Sequence, residues 1–347
     1  MLASQSLQLS CLLTAALISS ISPVATAAEL RRFRQVEPHM GVEFEIVLYA
    51  SDETVARAAC TAAFARIAQL DAILSDYSLS SELSRLSAAA PTKEPLRLSD
   101  DLFNVLRASQ QLAEDSDGAF DITIGPLTKL WRRARRQKEL PEAEQLKTAF
   151  AAVGHRFLKI DGENKTALLE KPGMRLDVGG IAKGYAADEA LAAITARGIA
   201  HALVRASGDI AVSDPPPGET GWKIGIAPLN PDDPPTVFVQ LKQQAISTSG
   251  EARQHLVING KRYSHLIDPR TGQPLSGRQS VSVIAPRGLA ADSLASAVAV
   301  LGPEKGLRLI AGREQVSAYI VTADDEGKNV QTFASPSFEK AISAAKR

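Results

Sequence analysis

What most limits the fold of this chain is the way long, Ala-rich helical stretches are interleaved with short strand-forming runs that end in turn residues. Apolar residues recur at helical spacing over Asp52–Leu74, over Leu102–Glu114 behind a Ser99-Asp100-Asp101 cap, and over Glu142–Ala152, Ile181–Arg197 and Leu289–Leu301, which predicts helices there. Strands are predicted over Phe44–Tyr49, Arg156–Ile160, Thr166–Glu170, Ala202–Val212, Trp222–Ala227, Val237–Leu241, Ala245–Thr248, His255–Ile258, Arg262–His265 and Ser280–Ala285. Asp161-Gly162 and Asn259-Gly260 fall between paired runs, and the second is a strong hairpin signal. No internal repeat is present, and the Pro-rich stretches at 214–217 and 231–235 read as surface loops. The pattern predicts one interwoven α+β unit over residues 28–347, with mixed or antiparallel sheets and packed helices.

The first 27 residues stand apart. Leu9–Ile21 is almost wholly apolar or small, and Ala25-Thr26-Ala27 fits a small-residue cleavage site. The stretch is too short for a membrane span and reads as a signal peptide, although no Lys or Arg precedes it. The expectation is an exported, periplasmic protein starting near Ala28, with no direct membrane span and no lipid-anchor cysteine, since most of the apolar run follows Cys11. Cleavage would leave Cys60 as a single thiol on a helical pattern, with no internal disulfide open to it. Lys+Arg and Asp+Glu both number 39, so the formal net charge is zero, and nothing points to nucleic-acid binding. The cluster Arg132, Arg133, Arg135, Arg136 reads as a solvated helix face.

Four segments carry the chemistry. In Leu176-Asp177-Val178-Gly179-Gly180-Ile181-Ala182-Lys183-Gly184-Tyr185 a strand runs into a helix through Gly-Gly, which lets backbone approach a ligand; the helix N-terminus favours an anion, and Lys183 adds a positive charge. A tight turn with a surface lysine explains the same residues. In Ala290-Ala291-Asp292-Ser293-Leu294-Ala295-Ser296, the oxygens of Asp292 and Ser296 are four residues apart and share a helix face. They suit Mg²⁺ bound to phosphate oxygens, or Asp292 simply caps the helix. Tyr263-Ser264-His265-Leu266-Ile267-Asp268-Pro269-Arg270-Thr271-Gly272 leaves a strand and enters a turn, placing His265 where active residues are often found. Gly118-Ala119-Phe120-Asp121-Ile122-Thr123-Ile124-Gly125-Pro126 reads as turn, strand, turn, with Phe120 and Asp121 equally at home in a core.

In this order, these segments resemble the ApbE family of FAD:protein FMN transferases. The similarity extends through Pro38-His39-Met40-Gly41, through Ser75-Asp76-Tyr77 with Ser81-Glu82-Leu83-Ser84-Arg85, and through Ser207-Gly208-Asp209-Ile210, Ser247-Thr248-Ser249-Gly250 and Val300-Leu301-Gly302-Pro303. It spans about residues 36 to 321. The resemblance implies a T-fold-related α+β unit. It implies FAD as substrate, held at Met40, Tyr77, Ala119, Phe120, Asp121, Asp177, Lys183 and Leu266. It implies Mg²⁺ at Gly180 (through its carbonyl), Asp292, Ala295 and Ser296, and a part for His265 in transfer, with Asp292 able to share the role of base. Three positions depart from the family pattern: Val42 where a Thr usually follows Met-Gly, Ser207 in the Gly-Gly-Asp motif, and Ser296 in place of the metal Thr, which keeps the hydroxyl.

The reaction implied is Mg²⁺-dependent transfer of FMN from FAD to a Ser/Thr hydroxyl of an acceptor flavoprotein, with release of AMP. The family's acceptors carry a short Ser/Thr flavinylation motif, often in subunits of membrane redox complexes. The rivals are an FAD pyrophosphatase, in which water replaces the protein hydroxyl, and a flavin-binding protein without catalysis.

Overall fold

The computed structural model describes residues 29–345 apart from 231, 251–254 and 259. The leader read at 1–27 lies outside the described residues, as does Asn259 of the Asn259-Gly260 turn.

A single eight-stranded sheet organises the chain, and its strands lie side by side in the order in which they occur in the sequence. They are β1 (Arg31–His39), β2 (Val42–Ala50), β3 (Ala202–Ala206), β4 (Asp209–Val212), β5 (Gln244–Gly250), β6 (Arg278–Ala285), β7 (Ser317–Ala323) and β8 (Gln331–Ala334). Every neighbouring pair is antiparallel. Met40-Gly41 makes the β1–β2 turn with φ of 49° and 74°, the left-handed pair that matches the twist of a two-residue hairpin. Ser207-Gly208 turns β3 into β4. The run Ala202–Val212, expected as one strand, is therefore a hairpin: a Ser-Gly turn signal sits within an otherwise uniform β-forming stretch.

The helices are α1 (Glu53–Leu74), α2 (Glu82–Ala88), α3 (Asp100–Asp115), α4 (Gly125–Gln137), α5 (Ala143–Ala151), α6 (Ala182–Thr195), α7 (Gly288–Ile310) and α8 (Pro336–Ala344). The first six lie within the single connection between β2 and β3. The expected cap forms, Ser99 Oγ accepting from Leu102 N at 3.3 Å, and Asp52 also caps α1, its Oδ1 accepting from Val55 N at 3.0 Å. Residues 118–126 differ from expectation. Instead of a strand there is one isolated bridge, Ile124 to Arg175, and Gly125-Pro126 opens α4. Proline fits there because the first turn of a helix has no use for its missing N–H. The helix expected to end at Leu301 does break there: Gly302 takes φ 76°, and Pro303 begins a second segment.

Alternation along the strands builds a core on each face of the sheet. Phe44, Ile46 and Leu48 of β2 face the main core with α1, α6 and α7. Val47 faces a second core with Trp222, Ile224, Val239, Leu241 and Phe338 of α8. Among the described residues no helix is long and apolar enough to cross a membrane.

The approach of α6 to α7 positions the site. A Cβ on Gly184 would fall 2.1 Å from the Gly288 carbonyl oxygen, and one on Gly288 would fall 2.4 Å from that of Gly184. The two backbones touch, and only glycine permits it. Asp188 of α6 then accepts the N–H groups of Gly288 (2.7 Å) and Leu289 (3.1 Å), which satisfies the first turn of α7. We expect Gly184→Ala to force the helices apart and lower stability by about 3 kcal/mol, within or just above the usual range for overpacking. The urea midpoint at unchanged m-value measures it, and a midpoint equal to the wild type would show that the contact carries no such constraint.

Candidate active site

Leu176–Tyr185 was expected to lead from a strand into a helix; instead only Arg175 forms an isolated bridge, and the chain runs through an irregular turn into α6, held at its base where Asp177 N donates to Ile122 O at 2.7 Å. The turn delivers Lys183 to the first turn of α6. Its ammonium lies 3.2 Å from Gly179 O, 3.1 Å from Asp209 Oδ2 and 3.5 Å from Asp292 Oδ2. Asp292 comes from α7 and also accepts Gly184 N at 3.1 Å. Asp209 begins β4 and accepts the Ser247 hydroxyl of β5 at 2.5 Å. Sheet alternation puts Asp209, Ser247 and Ser249 on the helix-facing side with Ala211 and Ala245. Ser249 Oγ lies 3.4 Å from Ser296 Oγ. A Cβ on Gly180 would sit 2.8 Å from Ser296 Oγ and 3.4 Å from the Phe120 ring. Gly180, Ser296 and Phe120 thus converge beside the Lys183–Asp209–Asp292 cluster.

The charges in this cluster are poised. Burial and the neighbouring Asp209 push the Asp292 carboxyl up to about 7, against the pull of Lys183 and the Gly184 N–H. Burial opposes the Lys183 charge, yet Asp209 and Asp292 hold its ammonium above the ordinary lysine range.

A second group lies on the other side of the same turn. Asp177 Oδ1 accepts Gly179 N at 2.9 Å, and its Oδ2 accepts both Thr128 Oγ1 and an Arg132 N–H at 2.8 Å. Arg132 also pairs with Asp76. Its guanidinium carbon lies 4.6 Å from the ring centroid of Tyr77, which is 76% exposed. Arg133 and Arg136 are exposed, as a solvated helix face requires, but Arg132 is largely buried in this ion-pair cluster.

Comparison with known proteins identifies the architecture. The ApbE family model matches residues 40–320. An FAD:protein FMN transferase of Klebsiella pneumoniae (strain 342) is 33% identical over 307 residues, covering 86% of each chain. That of Escherichia coli (strain K12) is 32% identical over 287 residues, covering 80% of this chain and 81% of the relative. This chain belongs to the ApbE family. Among solved structures, the apo form of the Pseudomonas stutzeri flavinyl transferase ApbE has a TM-score of 0.78 at 31% identity, covering 90% of this chain and 97% of that one. The flavin transferase ApbE from Vibrio cholerae has a TM-score of 0.80 at 28% identity, covering 90% and 100%. The mixed helix-and-antiparallel-sheet fold expected from the sequence is the ApbE fold.

The positions singled out through the ApbE resemblance do not all form one cluster. Lys183, Asp292, Gly180, Ser296 and Phe120 meet, with buried Ala295 behind them. Tyr77 and Asp177 meet through Arg132. Asp121 is occupied elsewhere: Oδ1 accepts Thr123 N and Oγ1 at 2.8 and 2.7 Å, and Oδ2 accepts His155 N at 2.7 Å. Its carboxylate holds backbone, while Ala119 and Phe120 are buried on the same loop. Met40, on the β1–β2 turn, donates its N–H to Asp71 Oδ2 at 3.2 Å. Met40 and Leu266 pack partly buried against the main core. His265 lies partly buried in the bend between the strands Lys261–Ser264 and Ile267–Asp268. Asp209, Ser249 and Arg132 carried no assigned role in the sequence. The Asp following a Ser-Gly turn was the available signal for Asp209; Arg132 had none, because its partners come from distant segments.

Removing Lys183 tests the charge balance. In Lys183→Met, Asp209 and Asp292 face each other unneutralised, at a cost of about 3 kcal/mol at pH 8. Asp292 is raised from 3.8 in the unfolded chain to about 7 when folded. The folded state therefore keeps a proton that the unfolded state has lost, and this group's contribution to stability declines as pH climbs from about 4 through 7. Without Lys183 the decline extends to higher pH. Chemical denaturation at pH 5.5 and pH 8 should show the mutant's deficit largest at pH 8, and an equal deficit at both would refute the balance.

Proposed function

We propose that this ApbE-family chain is an FAD:protein FMN transferase, moving FMN from FAD to a Ser/Thr hydroxyl of an acceptor flavoprotein with release of AMP. The observation that carries the reading is the meeting of Gly180, Lys183, Asp292 and Ser296 at the touching ends of α6 and α7. The FAD:protein FMN transferase activity of its relatives supports it.

The residues suit a Mg²⁺ ion. Among the described residues no three His, Cys, Asp or Glu side chains form a metal cluster, so a cation here takes Asp292 together with neutral oxygens. Those are the Ser296 hydroxyl and the backbone oxygens of Gly180 and Ala295, a hard oxygen set of the kind Mg²⁺ accepts when phosphate completes it. Bound there, Mg²⁺ supplies neutralisation of charge on pyrophosphate oxygens.

The protein's own residues do the rest. The Gly179-Gly180 turn admits the pyrophosphate close to backbone. Lys183, kept charged by its two carboxylates, faces it. Tyr77 offers an exposed ring for stacking. Met40, Leu266, Ala119 and Phe120 line the flavin, while Asp121 and Asp177 shape the loops that hold it. Phosphoryl transfer depends on such positioning more than on covalent chemistry. The acceptor oxygen forms a bond to the FMN-side phosphorus as the bond to the AMP oxygen breaks. His265 takes the hydroxyl proton as general base, and Asp292 is the next base in line. The apolar leader supports export, so the reaction is placed in the periplasm, where subunits of membrane redox complexes are the acceptors.

Intact mass of an acceptor bearing the Ser/Thr motif, incubated with FAD and Mg²⁺, tests the reading, with free AMP followed in parallel. We expect Asp292→Ala to abolish turnover, and His265→Ala to cut transfer by about 10²–10⁴-fold while FAD affinity stays near wild type. Brisk AMP release with no mass gain across several acceptors would replace transfer by pyrophosphate hydrolysis.

Mg²⁺ binding should also displace the Asp292 proton. The Mg²⁺-induced rise in Tm should therefore grow with pH, the affinity changing about tenfold per unit below 7 and levelling above it. A Tm gain independent of pH between 5 and 8 would remove Asp292 from the metal site.

A further inference from the structure

Tyr77 and the Gly179-Gly180 turn come from segments about a hundred residues apart, and Arg132 is the residue that ties them together. Its guanidinium pairs with Asp76, adjacent to Tyr77, and donates at 2.8 Å to Asp177, at the base of the turn. It also lies over the Tyr77 ring, 4.6 Å from the centroid. Three contacts at once use the flat, forked geometry of arginine, which lysine does not reproduce. Arg132 stands on a regular helix, α4, whose Leu127, Trp131 and Ala134 are buried in a core of their own. The clamp is therefore anchored to a rigid element. Arg175 reinforces it by donating to the Asp76 carbonyl.

An ion pair serving stability alone has no need of a solvent-exposed aromatic ring beneath it. Tyr77 is 76% exposed. With one face covered by Arg132, it has a single open face, already oriented. Burial and the nearby Asp177 push the Asp76 carboxyl up, and the Arg132 charge pulls it back. The two loops thus repel each other through their carboxylates, and Arg132, bridging both carboxylates, holds them in register with help from Arg175.

Resting on the flavin-site reading of Tyr77 and Asp177, we propose that Arg132 is a positioning residue for FAD: it presents the open face of Tyr77 to a ring of the dinucleotide and fixes its distance from the phosphate-binding turn. Arg132 acts through Tyr77 and Asp177 and does not touch the reacting atoms. FAD binding is consequently preorganised, and the ordering cost is met when the protein folds.

Titration with FAD itself, followed by flavin fluorescence, and AMP-release kinetics test this on the full-length protein. The variants are Tyr77→Ala, Arg132→Lys, Arg132→Met, and Arg132→Met combined with Asp76→Asn, which relieves the unpaired charge so that folding is retained. Arg136→Met, exposed on the same helix, controls for loss of charge. We expect Arg132→Met and the Asp76→Asn double variant to weaken FAD binding and raise KM for FAD at least tenfold. The kcat at saturating FAD should stay within about threefold, Arg132→Lys should rescue only partly, and Arg136→Met should bind as wild type. Tyr77→Ala joined to Arg132→Met should lose less affinity than the sum of the two single losses, because both act on one stacking element. If Tyr77→Ala weakens FAD binding but the folded Arg132 variants bind as wild type, the inference falls and the flavin-site reading stands. Fully additive losses overturn action through Tyr77. Unchanged FAD affinity in Tyr77→Ala overturns the flavin-site reading and this inference together.

Discussion

Gly184 and Gly288 touch backbone to backbone, and the whole site is built on that contact. Lys183 precedes the first of these glycines and Asp292 follows the second by one helical turn, so bringing the two helix ends together places a lysine and a carboxylate 3.5 Å apart. A side chain at either glycine would separate them. Asp188 closes the joint by accepting the first N–H groups of α7, leaving the Asp292 carboxylate free to meet Lys183 and the Gly184 N–H.

The sheet makes this junction possible. Its strands are neighbours in chain order, yet the connection from β2 to β3 carries six helices and the link from β6 to β7 carries α7. Both excursions return to the same face, where α6 and α7 pack on each other over β4, β5 and β6. Strand alternation then turns Asp209, Ser247 and Ser249 toward the helix ends, so the sheet supplies the second carboxylate and two hydroxyls. The resulting cluster has two acids and one lysine in partly dry surroundings. It carries an excess negative charge, and burial together with the neighbouring Asp209 raises the Asp292 carboxyl well above the usual carboxylate range. A cation bound there would offset that charge, linking metal affinity to pH.

The loops around Asp121 and Asp177 are organised differently. Asp121 and Asp177 were both ligand-contact expectations, and in the structure both carboxylates accept hydrogen bonds from the protein itself. Each carboxylate thereby fixes the loop on which it stands. Arg132 belongs to the same class of residue, binding loops to each other, whereas Tyr77 remains exposed and available.

Local rules in the sequence determined the long helices and their caps, the Met40-Gly41 turn, the Gly-Gly approach to α6, and the pairing of Asp292 with Ser296 on one helix face. Each depends on spacing within a few residues, where backbone geometry is decided by sterics and hydrogen bonding. The ApbE motifs were legible for the same reason, as short segments with defined chemistry. Only the tertiary structure decided that Asp209 would neutralise Lys183, that Ser249 would approach Ser296, and that Arg132 would leave its exposed neighbours to clamp Asp76, Asp177 and Tyr77. These contacts join residues 26 to 56 positions apart in the chain. Their geometry depends on how six helices fold back onto one face of a sheet, and no local pattern encodes that.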